Sequence, residues 1–301
     1  MSYFLLNLFF MIFFLLESMA AILGNGFIII VLGREWVRCW TLPPGDMILA
    51  SLGISRFFLQ WAAVLSNFYR YFSSNNNSLY LGIFWNFTNV TTFWFTTWLA
   101  VFYCVKISSF THPIFFWLKW RISRCVPWLL LCSLLISNLI FIPSFVKTYL
   151  VFHLPVTRNY SEKTTLHGRT HLLQWYFYLL LQMFILFIPF LFFLASTILL
   201  ISSLCRHLGN MQHHSASPQD QSMQVHITTL KSLFFFLIVY TSYVLPLIII
   251  ITAPISICRS QFWVCQVVIH AGISIHPAFL ILNNLKLRRA LKKMLHNPET
   301  P

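Results

Sequence analysis

Seven stretches of this chain are long and apolar enough to cross a bilayer, a task that takes about 20 mostly apolar residues in helical form. They run from Phe4 to Leu32, Met47 to Tyr69, Ile83 to Val105, Cys125 to Val146, Leu172 to Leu204, Leu233 to Ile257, and Phe262 to Leu285. In lipid the backbone must satisfy its own hydrogen bonds, so apolar stretches of this length dictate helices. The predicted fold class is an all-α membrane protein, a seven-transmembrane helix bundle forming a single domain over residues 1–301, with a short basic tail over 286–301. The fifth stretch is overlong and is expected to extend past the bilayer or to tilt.

Charge usage points the same way. Hydrophobic residues make up 58% of the chain and charged ones 9%, whereas soluble domains carry about 25% charged residues. So few charges cannot solvate a soluble surface. The first stretch lacks the basic n-region of a signal sequence, is too long for one, and continues without a small-residue cleavage site, so it reads as the first span.

Lysine and arginine placement sets the orientation, because cytoplasmic loops carry the excess. With the amino terminus outside, thirteen basic residues lie inside: Arg34, Arg38, Lys106, Lys119, Arg121, Arg124, Arg206, Lys231, Lys286, Arg288, Arg289, Lys292 and Lys293. Six lie outside, namely Arg70, Lys147, Arg158, Lys163, Arg169 and Arg259, and Arg56 falls within a span. The expected topology is an outside amino terminus and a cytoplasmic carboxyl terminus in a multi-pass plasma-membrane protein. The net charge of +14 is scattered between spans rather than gathered in one stripe, which argues against nucleic acid and for anionic membrane lipid as the partner. Apolar residues between the charges of Lys286 to Lys293 predict a short amphipathic helix on the membrane surface.

Several chemistries are excluded by what is missing. No P-loop, GxSxG, CxxC pair or dinucleotide fingerprint occurs, and His213 and His214 are adjacent in a polar loop rather than spaced to share a metal, so neither an enzyme nor a cofactor or metal site is expected. Glu17 is the only carboxylate well inside a span, and it lies toward the outer end, within reach of water. A proton-coupled carrier needs more buried acids, and a retinal protein needs a mid-helix lysine in the last span. None of the seven cysteines falls in the second outer loop, Lys147 to His171. Cys258 and Cys265 are near enough for a local bridge, although buried thiols fit them better.

The polar residues inside spans are the candidate functional groups. Arg56 and Asn25 both lie near mid-bilayer by helical rise, and a charge at that depth faces the bundle and has a partner, so the two form a candidate structural or switching network. Trp85 and Asn89 are four residues apart on one face, about 25 to 32 Å above Lys106. The same arithmetic brings Asn67, Gln266 and, somewhat deeper, Tyr243 into the outer half. Aromatic walls with a few polar groups suit a small-molecule pocket, and packing between helices is the plainer use of the same residues. Of the sequons at Asn76, Asn86, Asn89 and Asn159, Asn159 sits in the most polar outer loop and is the expected glycan site; Asn86 and Asn89 fall in a span and need partners inside the bundle.

Motifs in order along the chain resemble the type 2 bitter taste receptors, a family of G-protein-coupled receptors. They are Gly24-Asn25-Gly26, LASLGISRFFLQ from Leu49 to Gln60, WFTTWLAVFYCVKI from Trp94 to Ile107, His226 followed by LKSLFFFLIVY from Leu230 to Tyr240, and HPAFLILNNLKL from His276 to Leu287. The resemblance covers nearly the whole chain. It implies a receptor for a small bitter agonist bound by Asn67, Trp85, Asn89, Tyr243 and Gln266, with Tyr243 as the switch aromatic of the sixth helix. It also implies a cytoplasmic surface at Tyr103, Lys106, His226 and Lys231 for a heterotrimeric G protein of the gustducin type. Asn67 stands where many relatives carry Trp. Phe102-Tyr103-Cys104 and His276-Pro277 replace the Asp-Arg-Tyr and Asn-Pro motifs of rhodopsin-like receptors, which, with vomeronasal-type receptors, are the near alternative. A seven-helix small-molecule carrier is the alternative from another class, and the oligomeric state is left open.

Overall fold

A computed structural model describes residues 2–72, 77–108, 113–153, 164–214, 234–235, 237–244 and 262–296. The elements are α1 (Ser2–Cys39), α2 (Pro44–Phe72), α3 (Asn77–Ile107), α4 (Pro113–His153), α5 (Thr164–His214), a short helical piece α6 over residues 237–244, α7 (Phe262–Asn283) and α8 (Leu285–His296). No strand occurs among the described residues. Six of the described helices are long and apolar enough to cross a membrane. The predicted sixth span, Leu233 to Ile257, lies mostly outside the described residues.

Each helix sorts its residues by neighbour. On α1, Phe9, Leu16, Leu23 and Ile30 recur every seventh residue and are exposed to the lipid side. Phe14, Ser18, Ala21, Asn25, Ile28 and Leu32, spaced by three and four, are buried on the opposite face. The α4 helix behaves likewise, with Trp128, Leu131, Leu135 and Leu139 outward and Val126, Leu130, Ser133 and Ser137 inward. The exception is α3, whose residues 88–97 are all buried. A helix enclosed on every side sits at the centre of the bundle.

Hydroxyl and amide groups join the central helix to its neighbours. Thr92 Oγ1 lies 3.1 Å from Ser55 Oγ of α2, Thr91 donates to Ser137 of α4 at 2.9 Å, and Trp98 Nε1 donates to Ser133 at 2.8 Å. Thr97 donates to the carbonyl of Pro189 on α5 at 2.9 Å. Interhelical hydrogen bonds in membranes contribute about 0.6 kcal/mol each on average, so these fix register more than they supply stability. Apolar packing fills the rest: an inner cluster around Ile28, Leu52, Phe95, Leu99 and Ile281, and an upper one around Phe93, Trp94, Phe193, Tyr240 and Tyr243.

Two elements differ in extent from the sequence reading. The segment between the third and fourth predicted spans resumes helix at Pro113, so Lys119, Arg121 and Arg124 stand on the opening turns of α4, ahead of the span expected to begin at Cys125. Proline favours the first helical position, where no amide donor is required, and α2 opens the same way at Pro44. The Arg121 and Arg124 guanidiniums lie over the Trp117 and Trp120 rings, with their carbons 5.0 and 4.8 Å from the ring centroids. Second, α5 runs for 51 residues, the overlong helix expected from its sequence. Its carboxyl-terminal extension includes His213 and His214, and no cluster of metal-binding side chains occurs among the described residues.

Candidate functional site: polar pairs across the outer and middle bundle

The outer residues singled out from the sequence meet in pairs. Asn67 of α2 donates through Nδ2 to Gln266 Oε1 of α7 at 3.2 Å. The Tyr243 hydroxyl of α6 donates to Asn89 Oδ1 of α3, and its ring stacks on Phe93 with centroids 5.1 Å apart. Trp85 packs between the upper cluster that contains Tyr243 and a third cluster of Phe14, Ala63 and Trp263. One helical turn from Asn89, Asn86 exchanges hydrogen bonds with Gln182 of α5 at 3.3 and 3.0 Å. Both sequon amides of α3 thus have partners inside the bundle, as their depth requires. Asn159 and Asn76 lie outside the described residues.

Below this wall sits the buried arginine. Arg56 pairs through Nη1 with His276 Nδ1 of α7 and donates through Nη2 to Thr96 Oγ1 of α3 at 3.2 Å. A guanidinium can only donate, so Nδ1 is the accepting nitrogen and the neutral ring carries its proton on Nε2. Asn25 does not join this pair; its Nδ2 donates to the Ala21 carbonyl one turn earlier in α1 at 2.9 Å. The sequence correctly placed both residues inside the bundle, yet the short asparagine amide folds onto its own helix while the long arginine reaches α7.

Sequence reasoning missed a second relay at similar depth. Gln60 donates to Ser18 at 2.7 Å and accepts from His270 Nδ1 at 3.2 Å, linking α1, α2 and α7. Its signal was available in the polar residues of consecutive spans, since an amide buried in a membrane helix must find a partner. Glu17, adjacent to Ser18, is half-buried, and its Oε1 has no hydrogen-bond partner among the described residues.

The inner end has its own charged junction. Lys286, at the start of α8, bridges Glu35 of α1 and Asp46 of α2, with both contacts at 2.7 Å. The hydrogen bond to Asp46 and then that to Glu35 hold its ammonium above the ordinary lysine range. Leu287 is completely buried and, with Leu291, packs into the inner cluster. Of the four residues assigned to the cytoplasmic surface, Tyr103 is half-buried against that cluster and Lys106 reaches the Lys119 carbonyl at 3.4 Å. His226 and Lys231 lie outside the described residues.

A cavity of about 20 Å³ lies between Arg56, Thr96, Tyr240, Tyr243 and His276. Pockets for small organic ligands measure about 300 to 1,000 Å³.

A family model described as "Taste receptor protein (TAS2R)" matches residues 2–299. Curated relatives agree: taste receptor type 2 member 134 of Rattus norvegicus is 46% identical over 292 residues, covering 97% of this chain and 87% of the relative. Taste receptor type 2 member 41 of Pan paniscus is 45% identical over 295 residues, covering 96% of each chain. Member 16 of Pan troglodytes is 44% identical over 287 residues, covering 95% of this chain and 97% of the relative. Such coverage replaces the carrier, vomeronasal and rhodopsin-like alternatives. With its several membrane-length helices, the chain is a multi-pass receptor rather than an enzyme, and it belongs to the type 2 taste receptor family.

Proposed function

We propose that this receptor detects bitter small molecules in the outer half of its bundle and activates a heterotrimeric G protein of the gustducin type from the plasma membrane. Membership in a family of taste receptors supports the class. The observation that carries the site is the pairing of Asn89 with Tyr243 and of Asn67 with Gln266. Each pair joins two helices through groups that an agonist's own polar atoms can replace. An agonist that inserts there changes the separation of α3 from α6 and of α2 from α7. It binds better where those helices are parted and so shifts the population toward that arrangement.

The whole chain acts as one seven-helix unit with its amino terminus outside, and the amphipathic segment from Lys286 to Lys293 lies along the inner leaflet. Tyr103, Lys106, His226 and Lys231 contribute to the cytoplasmic surface that meets the G protein. The test is a calcium-release assay in cells supplied with a gustducin-type α subunit and exposed to a panel of bitter compounds. Agonist responses that require that subunit are expected; silence across a broad panel at verified surface expression refutes the assignment.

A further inference from the structure

We propose that the cytoplasmic end of α4 carries a site for one anionic phospholipid, whose phosphate is held by Arg121 and Arg124 and whose acyl chains lie along the apolar face beyond them. Trp117, Arg121, Arg124 and Trp128 follow one another at intervals of four, three and four residues, which places them on one helical face, and Trp120 flanks the stripe four residues before Arg124. All five are exposed. Ile122, Val126 and Leu130 are buried on the opposite face, where α4 packs on α3 and α2. The stripe therefore looks outward from the bundle, and Leu131 and Leu135, also exposed, continue it into the span.

Depth and charge select the occupant. Lys106, near the end of α3, reaches the Lys119 carbonyl, which marks the inner end of the bundle, and at helical rise Arg124 stands about 8 Å and Trp128 about 14 Å beyond Lys119. Side chains on a helix lean toward its amino terminus, here back toward the inner surface. The two guanidinium carbons accordingly lie 5.0 and 4.8 Å from the centroids of the Trp117 and Trp120 rings one turn earlier. Stacking uses the flat face of a guanidinium and leaves its N–H donors in the plane, in the fork geometry that matches phosphate oxygens. Neither α4 from Pro113 to His153 nor α3 from Asn77 to Ile107 contains an Asp or Glu, so these helices add no negative charge at a level where the cytoplasmic leaflet is anionic. A soluble protein or a free phosphate would meet the arginines but not the apolar continuation at Trp128, Leu131 and Leu135. A phospholipid meets both.

The experiment places the purified full-length receptor in phosphatidylcholine nanodiscs containing a minor fraction of phosphatidylserine with a photoreactive acyl chain, and maps the labelled peptides by mass spectrometry. The cytoplasmic placement of this end rests on the expected topology, but nanodiscs offer lipid to both ends, so the labelling does not depend on it. Label is expected on α4 between Trp128 and Leu135, competed by unlabelled phosphatidylserine and not by phosphatidylcholine or inorganic phosphate. Arg121→Gln should lower it about fivefold and the double variant Arg121→Gln/Arg124→Gln about 25-fold, the ratios that about 1 kcal/mol per basic side chain near anionic lipid gives. Lys292→Gln/Lys293→Gln on α8 should leave it unchanged, which separates one site from a general surface attraction. If the arginine variants do not fold, Trp120→Leu, which keeps both charges and removes the ring under Arg124, should lower the label about twofold to fivefold. Equal labelling of α4 by a photoreactive phosphatidylcholine would make this ordinary bilayer contact and overturn the proposal. Competition by inorganic phosphate, absence of label on α4, which would leave the face to a protein partner, or a label unchanged in whichever variants fold would overturn it as well.

Discussion

Asn89 offers a single amide oxygen, and the Tyr243 hydroxyl already donates to it. An agonist that uses this oxygen competes with the phenol for it or takes its second lone pair, so the two substitutions at this pair act differently. Asn89→Ala removes the acceptor for both phenol and ligand and should raise the half-maximal concentration of hydrogen-bonding agonists, since about 1 to 3 kcal/mol corresponds to roughly 5-fold to 150-fold. Tyr243→Phe keeps the stack on Phe93 and frees the acceptor, so donor-bearing agonists should gain potency. Dose–response curves at matched surface expression decide the matter, and unshifted curves for Asn89→Ala would remove it from the site. The pair was legible because helical rise gives depth, which placed Asn89 and Tyr243 in one half of the bundle. Rise gives no rotation about the helix axis, which explains why depth alone grouped Arg56 with Asn25 although its partner is His276.

At the scale of elements, close approach and a charged clasp hold α1 to its neighbours. A Cβ added at Gly24 would stand 2.8 Å from Pro277 Cβ of α7, and neither ring nor backbone can yield there. Gly24→Ala should cost about 1 to 3 kcal/mol, as overpacking does, and lower surface expression; normal expression and thermal stability would show that the helices separate freely at this crossing. The clasp is Lys286 between Glu35 and Asp46. Because its pKa is raised above 10.5, its contribution is complete below the ordinary lysine range and is lost only as pH climbs through the higher value, so docking of α8 should not change between about pH 7 and 9. Lys286→Ala should loosen α8 by up to about 1 kcal/mol, given partial exposure, measured as a wider distance distribution between spin labels on α1 and α8. The amphipathic tail helix was readable from charges alternating with apolar residues. Its partners were not, since Glu35 and Asp46 lie some 250 and 240 residues away in sequence. The start of α4 was hidden by the same charges that mark an inner loop, because a helix can leave the bilayer without ending.

At the scale of the whole molecule, the balance of charge decides what can enter. On the seven-span topology expected from the basic-residue asymmetry, the loop carrying Asn159 is outside and Asn159→Gln should abolish a glycosidase-sensitive mobility shift; a persistent shift would relocate the glycan or reverse the topology. Among the described residues, the charge deepest in the bundle is positive rather than negative. Arg56 is enclosed, the groups at the proposed outer pocket are amides and aromatics, and among the described residues Glu17 carries the one enclosed carboxylate oxygen without a hydrogen-bond partner. A cationic agonist would lose its hydration and gain only aromatic faces worth about 0.5 to 2 kcal/mol each, with the guanidinium below repelling it. Neutral agonists should therefore dominate an agonist screen, and Glu17→Gln should leave their potency unchanged while Trp85→Ala weakens most of them by removing aromatic area. If the screen instead returns mainly permanently cationic compounds whose potency falls on Glu17→Gln, recognition belongs to α1, and the amide-lined wall of α2, α3, α6 and α7 serves only to hold the helices together.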